Sequence, residues 1–99
     1  MPYSVAWTES AHEDLANLFD YVAEHASVGD ADRLYERLLN STVHLSEFPR
    51  LYAAAPEWGE GVRRISALGQ HVLYMVDDEK QVVYVLAVVG ERQLPEKMR

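Results

Sequence analysis

The sequence predicts an α+β fold, a helical hairpin packed on a mainly antiparallel four-stranded sheet in the order β-α-α-β-β-β. Three observations carry this expectation. Two consecutive stretches, 11–22 and 31–45, place their apolar residues at helical spacing. A segment with two prolines and two glycines, Pro49 to Gly61, ends the helical part. Beyond it come three short runs rich in β-formers, 62–67, 71–76 and 81–89, separated by turn residues. Each element has one apolar side, so the helices must cover a face of the sheet.

The elements follow in order. Tyr3 to Trp7 alternates and predicts a short first strand. Thr8 and Ser10 both offer a helix cap, and Ser10 with Glu13 fits the capping-box spacing. Ala11, Leu15, Leu18, Phe19 and Val22 then form one face of a helix running to about His25. Gly29 suits a turn and Asp30 a second cap. Ala31, Leu34, Leu38, Leu39 and Leu45 predict a second helix ending near Glu47, stopped by Pro49. The short connection implies an antiparallel pair. In the loop that follows, Tyr52 and Trp58 are the expected anchors.

The strand Val62–Ala67 turns at Gly69-Gln70 into His71–Val76, and Asp77 to Lys80 turns that into Gln81–Val89. The last run is almost wholly apolar, which predicts a central strand covered on both faces. A polar tail, 90–99, is expected to be loose.

At 99 residues the chain fits a single domain spanning 1–99. The absence of cysteine excludes disulfides and thiol chemistry. No apolar run reaches the ~20 residues of a membrane span, and the N-terminus lacks a signal-peptide pattern, so a cytoplasmic protein without membrane contact is expected. Residues 1–49 hold nine acidic side chains against two basic ones, Arg33 and Arg37, whereas residues 50–99 hold seven of each. The net charge of −7 therefore lies in the first half and argues against direct, generic nucleic-acid binding.

His12, His25, His44 and His71 have no metal-ligand spacing, and there is neither a His-Glu-x-x-His motif nor a glycine-rich phosphate loop. No cofactor and no metal are expected. Tyr74 and Tyr84 alternate with aliphatic residues and read as sheet packing.

With these residues in this order, the chain resembles the ParE/RelE toxin superfamily of type II toxin–antitoxin systems, and its ParE-like branch in particular. The first helix, SAHEDLANLFDYVAE, is similar to the family's opening through Ala11, Asp14-Leu15 and Asp20-Tyr21-Val22-Ala23. Glu47-Phe48-Pro49, Pro56-Glu57-Trp58-Gly59, Gly61-Val62-Arg63-Arg64-Ile65 and the hairpin HVLYMVDDEKQVVYVLAVV continue the likeness along almost the whole chain.

The resemblance implies a toxin with a cognate antitoxin, ParD-like and DNA-binding, in a hetero-oligomer that meets nucleic acid through the antitoxin. It is a reading tied to plasmid stabilization and growth inhibition. Two modes of action are implied. ParE-like members bind and inhibit DNA gyrase, without chemistry of their own. RelE-like members are ribosome-dependent mRNA endonucleases, or mRNA interferases, and need a cluster of basic side chains to stabilise charge on the phosphate.

Here several family arginines are replaced, by Ala53, Ala54 and Ala55 after Pro49, by His71-Val72, and by Ala87. The last strand ends in Gly90-Glu91-Arg92 rather than in His-x-Arg. Arg63, Arg64 and Arg92 are the expected target-binding residues, and the catalytic ones only if the chain cuts RNA. The thinned basic set favours gyrase and a non-enzymatic toxin; a weakened toxin that keeps fold and partner is a third reading. The acidic helical hairpin suggests an antitoxin segment carrying basic residues.

Overall fold

The computed structural model describes residues 2–92 and has the element order expected. Strand β1 is Ser4–Trp7, helix α1 Glu9–His25 and helix α2 Val28–Ser41. Two short 3-10 turns follow, Val43–Ser46 and Pro56–Trp58, then β2 (Arg63–Ala67), β3 (Gln70–Asp77) and β4 (Val82–Gly90). Most of the tail expected to be loose, 93–99, lies outside the described residues. Gly90 itself closes β4.

Capping decides where the helices begin. Thr8, not Ser10, caps α1: its hydroxyl oxygen accepts the Ala11 N–H at 3.1 Å. Thr8 is also held on β4, because its N–H donates to the Val85 carbonyl and its hydroxyl to the Leu86 carbonyl. The chain therefore turns into the helix immediately after the strand, and Ser10 falls inside the first turn.

Ser27, not Asp30, caps α2 by accepting the Asp30 N–H at 3.0 Å. Asp30 sits in the first turn, where a carboxylate complements the helix dipole. Gly29 is helical rather than a turn. The second helix also stops short of Glu47. The Ser41 and Thr42 hydroxyls donate to the Leu38 and Leu39 carbonyls at 2.6 and 2.8 Å, and a 3-10 turn carries Leu45 into the core instead.

The sheet order is β1-β4-β3-β2. β1 runs parallel to β4, and the other two pairings are antiparallel. The turn between β2 and β3 falls one residue earlier than expected, on Leu68-Gly69. The helices cover one face, where Leu15, Leu38 and Leu45 meet Val72, Tyr74, Val83 and Val85, all essentially inaccessible to water. On the far face Ala55, Trp58 and Val62 of the loop cover Leu73, Ala87 and Val89.

A β-bulge interrupts the β3–β4 ladder. Leu73 opposes Ala87 and Tyr74 opposes Val85, leaving Leu86 unmatched. The central position of β4 is as expected, but its cover is not complete. The loop reaches only the C-terminal half on the far face, so Val82, Tyr84 and Leu86 stay partly exposed.

The short reach of β1 explains Asp14. Strand β1 pairs with β4 only as far as Val85, so the next part of that edge needs other partners. Thr8 satisfies Leu86, and an Asp14 carboxylate oxygen accepts the Val88 N–H at 3.0 Å. Replacing Asp14 by alanine leaves a partly buried donor unmade and should destabilise the fold by about 1–3 kcal/mol. Asp14→Asn, which retains an acceptor, should lose less. Urea unfolding of both variants checks this, and equal losses would assign the effect to charge instead.

Candidate binding face

The uncovered half of the far sheet face forms an open groove of about 430 Å³. Its floor is Met75, Tyr84 and Leu86, and its rim is the acidic turn Asp77, Asp78 and Glu79. Strand alternation places Met75 and Tyr84 opposite one another in register on the same face. Beside it lies a second pocket of about 200 Å³, lined by Arg50, Ala54, Gly61 and Arg63 and sharing Met75 and Val76 with the first. The two form one continuous surface, apolar in the middle, acidic at one end and bordered by two arginines.

Hydrogen bonds fix the edges of this surface. Arg50 grips Asp78 with both nitrogens, at 3.1 and 2.7 Å, and the Tyr3 hydroxyl donates to the same carboxylate at 2.7 Å. The N-terminal segment, the long loop and the β3–β4 turn are thereby joined at a solvent-exposed point. Arg50 and Tyr3 hold the Asp78 carboxyl below its ordinary 3.8, and Asp78 in turn pushes the Tyr3 hydroxyl above 10.0.

A depressed carboxylate favours the fold at neutral pH and loses that contribution as pH falls through the depressed value, below about 4. The tyrosine donor is retained until pH rises past about 10. Wild-type melting temperature should therefore fall more steeply than that of Asp78→Asn between about pH 5 and about pH 2. Parallel curves would remove the network from the account of stability.

The arginines singled out in the sequence are not gathered together. Arg63, opposite Tyr74 in the β2–β3 register, donates Nη1 to the Tyr52 carbonyl at 2.6 Å and so ties the loop to the sheet. The Tyr52 N–H donates in turn to the buried Tyr74 hydroxyl, whose pKa burial pushes up. Arg64 points to the other face and approaches Glu57 of the loop at 3.5 Å. Arg92 lies beyond the Gln70–Gly90 pair, at the opposite end of the sheet from Arg63.

Arg50 is the site residue that the sequence did not single out. Only the fold brings it beside Arg63, so no local pattern marked it. His71 pairs with Ser66 across the ladder at 3.1 Å, away from the groove. Among the described residues no cluster of His, Asp or Glu is arranged to hold a metal ion, and no helix is long and apolar enough to cross a membrane.

Comparison with known proteins agrees with this architecture. The family described as the ParE toxin of the type II toxin–antitoxin system parDE matches residues 5–95. No curated protein sequence matches the chain. Among solved structures, the chromosomal ParDE toxin–antitoxin system of P. aeruginosa superposes with a TM-score of 0.77 at 18% identity, covering 89% of this chain and 95% of that one. The RelBE2 toxin–antitoxin complex of Mycobacterium tuberculosis gives 0.67 at 24%, covering 91% and 99%. The isolated E. coli RelE toxin gives 0.64 at 21%, covering 96% and 90%. At these identities the three structures speak for the fold.

Proposed function

The chain belongs to the ParE toxin family of type II toxin–antitoxin systems, and from that membership we propose that it inhibits DNA gyrase and is neutralised by a cognate ParD-like antitoxin. The observation that carries the gyrase reading is the dispersal of its basic residues around an apolar face. Phosphodiester cleavage needs donors converging on one developing charge, each contributing about 10²–10³ in rate. Here Arg63 holds a loop carbonyl, Arg64 approaches Glu57 on the other side, and Arg92 lies at the far end of the sheet. An apolar groove with a charged rim is suited to binding a protein. Arg63, Arg64 and Arg92 remain the proposed target contacts, joined by Arg50. Operator DNA is bound by the antitoxin, within the hetero-oligomer.

A ribosome-dependent mRNA endonuclease is the second reading, favoured by the pocket that brings Arg50 and Arg63 together beside the groove. Supercoiling by purified gyrase separates the two. The proposed function expects inhibition or trapped cleavage complexes. An inert toxin in that assay, together with cuts in the A-site codon of a translating extract, would replace gyrase by the ribosome.

A further inference from the structure

The two basic residues of the acidic first half come together at one place. Arg33 and Arg37, one turn apart on α2, line a shallow pocket of about 180 Å³ with Leu34 and with Leu68 of the β2–β3 turn. Arg92 follows Glu91, whose N–H donates to the Gly69 carbonyl at 3.0 Å, so a third arginine emerges beside the same turn.

Two features of this pocket work against the fold. Like charges at this helical spacing repel, and of the pair Arg33 is matched by Asp30 within the helix. Leu68 is held at φ 56°, followed by Gly69 at φ 78°, as a two-residue turn with both residues left-handed requires. Asparagine suits the first of those positions far better than leucine. Yet Leu68 is present, with 47% of its surface exposed.

We infer that this pocket docks an acidic, apolar segment of the antitoxin. A carboxylate takes the Arg33–Arg37 pair, and a neighbouring aliphatic side chain covers Leu34 and Leu68. Arginine forks match carboxylate geometry, and a free phosphate would leave both leucines wet. The charge sense is the reverse of the basic partner suggested by the acidic hairpin as a whole, because locally the hairpin presents arginine here. This inference rests on the toxin–antitoxin reading and names a contact within it.

The test uses the protein encoded by the reading frame adjoining that of this chain, with affinity measured by calorimetry at several salt concentrations. Arg33→Glu with Arg37→Glu should weaken binding at least about tenfold at about 50 mM NaCl, with the difference shrinking towards about 500 mM. Leu68→Asn should melt at the same or a higher temperature than the wild type while binding about tenfold more weakly. Opposite signs for stability and affinity are not what a merely structural leucine produces. If the wild type binds and neither variant differs from it, the pocket is not the docking point and the toxin–antitoxin reading stands. If the wild type does not bind its neighbour at all, that reading fails and takes this inference with it.

Discussion

Trp58→Ala is expected to lower stability by about 3–5 kcal/mol, the range for truncating a buried large aromatic. Trp58 closes a 3-10 turn that begins at Pro56 and carries the indole onto Leu73, Ala87 and Val89. It is the largest side chain in the far-face layer, and the loop has little else there beyond Ala55 and Val62. Loss of the indole uncovers the C-terminal half of β4 and frees the chain that positions Arg63 and Arg64. Domains of this size hold only about 5–15 kcal/mol in total, so the melting temperature should fall by more than about 10 °C. Trp58→Phe, which keeps most of the apolar volume, should recover much of the loss. A shift of a few degrees for the alanine variant would mean that the loop is dispensable to the sheet.

The second large effect is expected at Tyr74, which is fully buried at the centre of the helix-side core. Tyr74→Ala removes a ring from a close-packed layer and should cost about 3–5 kcal/mol. Tyr74→Phe keeps the ring and removes only the acceptor for the Tyr52 N–H, at about 1 kcal/mol. The two variants separate packing from the hydrogen bond that links core to loop. Amide exchange at Tyr52 should speed up in the phenylalanine variant while the strands keep their protection. Unchanged exchange would detach the loop from the hydroxyl.

The fold was largely legible because periodicity and punctuation agree. Leu15, Leu38, Val72 and Val85 fall where a helical or alternating pattern puts them, and all are buried. Boundaries were less legible, because several residues of one chemical type competed for one role. Thr8 won over Ser10 through its bonds to β4, a choice that depends on contacts distant in sequence, whereas Ser27 won over Asp30 by accepting the Asp30 N–H itself. The bulge at Leu86 left no local signal, and neither did the reach of the loop, which ends the two-sided cover expected for β4 halfway.

In the candidate site the individual arginines were visible but not their arrangement. Arg63 and Arg64 are adjacent in sequence yet serve opposite faces, and the partner of Arg63 is a loop carbonyl. Arg50, isolated in a loop, becomes part of the face only through Asp78.

The parallel pairing of β1 with β4 has a consequence for how the protein folds. Ser4 meets Val82 and Trp7 meets Val85, so the first strand of the domain waits for its last. Until then Leu15 and Leu38 lack Val83 and Val85, the β4 side chains at the centre of the sheet face they pack on. Folding is therefore expected to be slowed by long-range closure, and a chain truncated before β4 should remain unstructured and open to proteolysis.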